Sequence, residues 1–181
     1  MSLEEWASLP EDEEGELVDG ELVEDEESDW DHEDVVAWVM LLLGAWGTAR
    51  GGRVYASDGK FAVRPGRGRK ADVSMFLAGT PLPPRRGPCT TPPDILVEVI
   101  SSDARDVRRD RIEKATEYAA FGVRFYWLID PDARTFEIFE LQTGGHYLRL
   151  VGISEGAIDV PGCEGLRLDL DALWAKLDRL A

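Results

Sequence analysis

Glu98 lies in Pro93-Asp94-Ile95-Leu96-Val97-Glu98-Val99-Ile100, a strand-like run that carries a carboxylate where a buried strand would carry an aliphatic. Two-residue alternation puts Ile95, Val97 and Val99 on one face and Asp94, Leu96, Glu98 and Ile100 on the other. An ionised glutamate among aliphatics either faces water from an edge strand or is met by a metal ion, a lysine or a hydrogen-bond donor. A second acid, Asp72, stands at the start of another short apolar run, Lys70-Ala71-Asp72-Val73-Ser74-Met75-Phe76, and Lys114 follows downstream. Two carboxylates from adjacent strands and a backbone carbonyl make a hard-oxygen site for Mg²⁺ or Mn²⁺. Such an ion stabilises charge on a phosphodiester and lowers the pKa of the attacking water, which a lysine can orient or deprotonate. Asp72 and Glu98 are thus the candidate metal ligands, with the Val99 carbonyl a further ligand. Asp94 is a poor candidate, because four residues of strand at ~3.3 Å each separate it from Glu98 by about 13 Å.

The elements that must position these groups follow in order. Asp110 to Ala119 reads as a helix with Arg111, Lys114 and Tyr118 on one face and Ile112, Ala115 and Ala119 on another. The basic face looks either toward the acids or into solvent. Gly122 stands where a helix-ending glycine would, and Phe125 to Ile129 is apolar enough for a strand covered on both sides. The sequence of elements is strand, strand, helix, strand.

With those residues in view, the run PPDILVEVISSDARDVRRDRIEKATEYAAFGVRFYWLIDPDARTFEIFEL resembles the core of the Uma-two family of restriction endonucleases, a branch of the PD-(D/E)XK nuclease superfamily. The likeness rests on the PD-x-x-x-E-V strand, the D-x-x-x-K-x-x-x-Y helix and G-V-x-x-Y-W-L-x-D-P. More loosely it reaches Lys70 to Ser74 and Gly15 to Val23, covering roughly residues 10 to 150. It implies an α/β, restriction-endonuclease-like mixed central sheet flanked by helices, with extra N-terminal and C-terminal hairpins, and Mg²⁺-dependent cleavage of DNA. It implies the same pair of acids. Ile100 occupies the place of the motif lysine, which in the resembled family has moved to the following helix, where Lys114 stands. Ala71 replaces the proline that usually precedes the first aspartate. By resemblance only, Glu16 is an outer member of the site, and a histidine often stands at the position of His32.

Composition bounds the alternatives. The 181 residues suit one domain, 1–181, with the acidic segment 1–34 included. The net charge of -16 argues against a nucleic-acid partner at first sight, but residues 1–34 hold 17 acids and no Lys or Arg, leaving 19 acids against 20 bases elsewhere. Between Arg50 and Arg86 stand nine bases and only two acids, either a basic strip or a solvated loop face. Two distant cysteines, Cys89 and Cys163, suit a reducing, cytoplasmic compartment, and no apolar run is long enough for a membrane span or a leader. A homodimer is plausible, since cutting both strands of a duplex needs two sites. A catalytically silent module that keeps the fold is the competing expectation, favoured by the acidic N-terminus, and a hydrolase of a small phosphorylated compound is a third.

Elsewhere, Asp19-Gly20 predicts a tight hairpin turn between Glu16-Leu17-Val18 and Glu21-Leu22-Val23. Ser28, Asp29 and Asp31 offer caps to a helix over 33–46, with His32 at its head. Residues 53–56 and 60–63 read as a hairpin about Ser57-Asp58-Gly59, and 65–70 as a Gly-Arg turn. Six prolines in 79–93 predict a surface loop. Residues 134–141 and 146–153 read as a hairpin, and Leu168 to Leu180 as a terminal helix.

Overall fold

The structure is a computed structural model describing residues 1–10, 15–23, 28–57, 59–100 and 109–179, without the side chains of 109–111. Several sequence expectations lie outside these residues: the acids of 11–14 and 24–27, Asp58 in its turn, the polar connection 101–106, the Arg111 side chain and Leu180.

Helix α1 (Leu3–Ala7) starts at Ser2, whose side chain and that of Glu5 cap each other's backbone. Strands β1 (Glu16–Val18) and β2 (Glu21–Val23) form the expected hairpin, with Asp19 at φ 51° and Gly20 at φ 84°. Helix α2 (Trp30–Thr48) starts earlier than expected because Asp29 is the cap, accepting from the His32 amide at 2.8 Å. Then come β3 (Arg53–Ala56), β4 (Lys60–Arg64), β5 (Arg67–Lys70), β6 (Val73–Phe76) and β7 (Ile95–Val99). A π-helical turn, Arg109–Lys114, leads into α3 (Ala115–Phe121), which ends at Gly122 with φ 102°. The chain continues as β8 (Phe125–Asp130), β9 (Thr135–Leu141), β10 (Tyr147–Ile153), β11 (Ala157–Asp159), β12 (Arg167–Asp169) and α4 (Leu170–Leu177).

The main sheet has the order β10-β9-β8-β7-β6-β3, antiparallel throughout except for the parallel pair β7 and β8. The parallel pair follows from the helical crossover between those strands, and it sets β7 in the middle of the sheet. Glu98 therefore does not reach water from an edge strand. On one face α2 and α4 bring Val35, Val39, Leu43, Trp46 and Leu173 against Val73, Val97 and Trp127. On the other, Tyr118 of α3 and Phe61 of β4 pack with Leu96, Tyr126 and Leu128.

Four sequence expectations are corrected. Strands β3 and β4 do not pair with each other: β3 joins β6, and β4 joins β5 across Pro65-Gly66, where Gly66 has φ 72°. Residues 67–70 are accordingly a strand rather than a turn, because β1 and β4 flank them in a second sheet of order β2-β1-β5-β4. Leu168 belongs to β12, paired with β11, and the terminal helix begins at Leu170 behind the Asp169 cap. The helix expected over 110–119 divides into a π turn and an α segment. Among the described residues no helix is long and apolar enough to cross a membrane.

Two contacts hold the second sheet in place. Trp6 lies on Gly68 so closely that a Cβ there would stand 2.3 Å from the ring, and its Nε1 donates to the Gly15 carbonyl at 2.9 Å. Arg69, fully buried on β5, donates to Glu16 of β1 at 2.7 Å and to Glu117 of α3 at 2.6 Å. Gly68→Ala is expected to cost about 1–3 kcal/mol of unfolding free energy, since a rigid indole must move. Arg69→Met, which takes the shared guanidinium from two buried carboxylates, should cost about 3–5 kcal/mol. Urea melts of both variants check these values, and wild-type midpoints would refute the account.

Candidate active site

Register brings the two acids into one neighbourhood. Val73 pairs with Val97 in an antiparallel ladder, so the positions just outside that pair, Asp72 and Glu98, come opposite each other. The side chains then diverge in their partners. Asp72 accepts from the Val99 amide at 2.6 Å through Oδ2, and its Oδ1 lies 3.3 Å from His32 Nε2. Its carboxylate is thereby fixed to the peptide that follows Glu98.

Glu98 is 2% exposed and points to the α3 side. Lys114 Nζ donates to its Oε2 at 2.8 Å, and the Tyr118 hydroxyl donates to its Oε1 at 2.6 Å. The four-residue spacing of Lys114 and Tyr118 makes this fork possible, because one helical turn stacks them on the same face. Lys114 stands at the junction of the π turn and α3, and such irregular turns often occur at functional sites. Its ammonium also lies 3.5 Å from Glu16 Oε1, whose other oxygen receives Arg69. Glu16 thus bridges Lys114 and the guanidinium, while its Oε1 accepts from the Lys70 amide at 3.1 Å. Lys114 and Tyr118 of that helical face look inward.

The electrostatics follow from burial. Desolvation pushes the Tyr118 phenol well above its ordinary pKa, and the charges of Glu98 and Glu16 push it further, so it remains an O–H donor. Burial lowers the pKa of the Arg69 guanidinium, but Glu16 and Glu117 outweigh that and leave it raised. For His32 burial also works downward, yet the bond and charge of Asp72, with Glu33, leave the net shift upward from 6.5. His32 Nδ1 is buried without a hydrogen bond, 3.5 Å from Glu33 Oε1.

The structure thus brings Glu98, Lys114, Tyr118 and Glu16 into direct contact and sets Asp72 and His32 beside them across the Glu98-Val99 peptide. Val99 enters through its amide. Asp94 is elsewhere, its Oδ2 tying down the Leu77 amide and the Thr80 hydroxyl at 2.7 Å each. Sequence reading missed Arg69 and Glu117. The only signal was Glu117 standing three residues after Lys114, on the same helical face.

Among the described residues no three His, Cys, Asp or Glu side chains form a metal-holding group. The donor chemistry still suits a hard cation. Mg²⁺ commonly takes one or two carboxylates and keeps several waters, and carboxylate oxygens are the hard donors it prefers.

Comparison with known proteins agrees with this architecture. The Uma2 family, described as "Putative restriction endonuclease", matches residues 2–172. No curated protein matches the chain. A solved structure from Anabaena variabilis, titled as a "putative nuclease belonging to DUF820", superposes with a TM-score of 0.74 at 19% identity, covering 98% of this chain and 99% of that one. At that identity the likeness is one of fold. The family match spans nearly the whole sequence, and the chain belongs to the Uma2 family with a restriction-endonuclease-like α/β fold.

Proposed function

We propose that this chain is a metal-dependent endonuclease that hydrolyses phosphodiester bonds of DNA, with Asp72 and Glu98 as ligands of Mg²⁺ or Mn²⁺ and the Val99 carbonyl completing the protein's share. The observation that carries this reading is the 2.8 Å contact of a buried helix lysine, Lys114, with a buried strand carboxylate, Glu98. A lysine and an acid from separate elements meet inside the protein, although the motif position two residues after Glu98 is Ile100.

The bound ion would supply charge stabilisation at the phosphate and a more acidic water. The chain's own groups do the rest. Tyr118 donates to Glu98 and keeps that carboxylate on the α3 side of the sheet. Lys114 orients the attacking water and passes a proton. Glu16 gives the ammonium a second carboxylate to lean on when Glu98 turns toward a cation. The Val99 amide fixes Asp72 so that its other oxygen is presented with little rotational freedom. Two free cysteines, Cys89 and Cys163, fit a cytoplasmic setting. A second copy of the chain would provide the second cut in a duplex.

The competing reading, a silent module that keeps the fold, draws on one observation. Both oxygens of Glu98 already accept from protein donors. Calorimetric titration with Mg²⁺ near neutral pH separates the two: a resolved binding heat that Glu98→Gln removes supports the nuclease, and no heat from the wild type supports the silent module.

Plasmid nicking tests the assignments directly. Asp72→Ala and Glu98→Ala should each abolish metal-dependent nicking, and cleavage at the wild-type rate by either would remove it from the site. Lys114→Met is expected to slow cleavage by roughly 10²–10⁴-fold, the usual range for losing one positioned proton-transfer group.

A further inference from the structure

A cleft of about 680 Å³ opens on the same side of the main sheet as Glu98, between β3, β4 and the proline-rich loop 79–93. Its wall carries Lys60, Lys70, Arg85 and Arg86, and no acid among the described residues lines it. Arg85 and Arg86 are exposed on the loop, while Lys60 is braced by the Trp6 carbonyl at 2.9 Å. The rest of the wall includes three aromatic rings and three prolines among small residues. Tyr55 is half-buried in it, held edge-to-face against Phe76 with centroids 5.8 Å apart, and Pro83 and Pro84 line the same cleft.

The cleft adjoins the candidate site through two strands. Ser74, on its wall, pairs with Leu96, so it stands two residues from Asp72 just as Leu96 stands two from Glu98, a distance of about 7 Å along the strands. Lys70, also on its wall, gives its amide to Glu16. The cleft and the candidate site thus lie on neighbouring stretches of the same two strands.

The geometry points to a binding site for a single strand of DNA, and we propose that the cleft takes an unpaired segment and feeds its backbone toward Glu98. The cations match phosphates, and the ring of Tyr55 with the prolines offers flat apolar surface to bases. Duplex DNA hides its base faces in the stack, so that surface would gain nothing from it. The volume of about 680 Å³ suits a small ring-bearing ligand and is far below that of a double helix. Single-strand sites elsewhere use the same pairing of a basic groove with aromatic platforms. This inference deepens the nuclease reading by naming the form of its substrate.

Binding measured without divalent ions, in chelator, keeps the two apart. Fluorescence anisotropy of a labelled thymidine oligonucleotide should give tighter binding than a duplex of equal length. R85Q/R86Q should reduce the slope of log K against log salt by roughly 0.7 per arginine removed. Tyr55→Ala should weaken binding by roughly tenfold and Tyr55→Phe should not, since the ring alone carries the stacking. Circular dichroism melts verify that each variant is folded. Equal or tighter binding of duplex, or wild-type affinity and salt slope in R85Q/R86Q, overturns the proposal even if the protein cuts DNA. Single-strand binding with these dependences but no cleavage under Mg²⁺ or Mn²⁺ upholds the cleft and sinks the nuclease.

Discussion

A glutamate buried inside the middle strand of this sheet is met there by an ammonium and a phenol. Removing a carboxylate from water costs several kcal/mol even after relaxation, and a single good ion pair with further hydrogen bonds is what offsets it. Lys114 and Tyr118 provide that pair and that bond, and both come from one turn of helix against the centre of the sheet. The position of α3 against the sheet and the inward turn of Lys114 and Tyr118 meet this requirement.

The requirement extends outward, because Lys114 and the carboxylates around it are themselves buried. Glu16 and Glu117 need countercharge, and Arg69 supplies it with no exposed surface of its own. A chain of ions thus runs from β7 through α3 to β1 and β5, joining the main sheet to the second one. Buried ion networks of this kind contribute little net stability compared with apolar packing, but each member becomes costly to remove once its partners are in place. Their consequence here is positional: the N-terminal hairpin is locked to the helix that carries the candidate base.

The acid opposite Glu98, just before β6, follows different physics. Asp72 is held by a backbone amide and faces a histidine whose upward pKa shift reflects that neighbour against the pull of burial. The two acids are close in register yet anchored independently, Asp72 by the sheet backbone and α2, Glu98 by α3. Independent anchoring leaves each carboxylate oriented without the other.

Much was legible in the chain itself. The anomaly of Glu98, the Asp19-Gly20 turn, the Gly122 helix end, the doubly covered β8 and the common face of Lys114 and Tyr118 are local properties, fixed by alternation, helical spacing and backbone sterics within a few residues. The pairing of β4 with β5, the burial of Arg69, the π turn before Lys114 and the swing of Asp72 onto the Val99 amide were not. Each depends on which distant groups arrive alongside. A strand's pattern declares its two faces but not its neighbours, and an arginine beside a glycine reads as a surface turn until two glutamates from elsewhere surround it. The sequence alone thus determined which residue types were available for chemistry and on which face each stood. Tertiary structure decided which of them meet, because desolvated charges select partners by proximity in space, which local spacing does not encode.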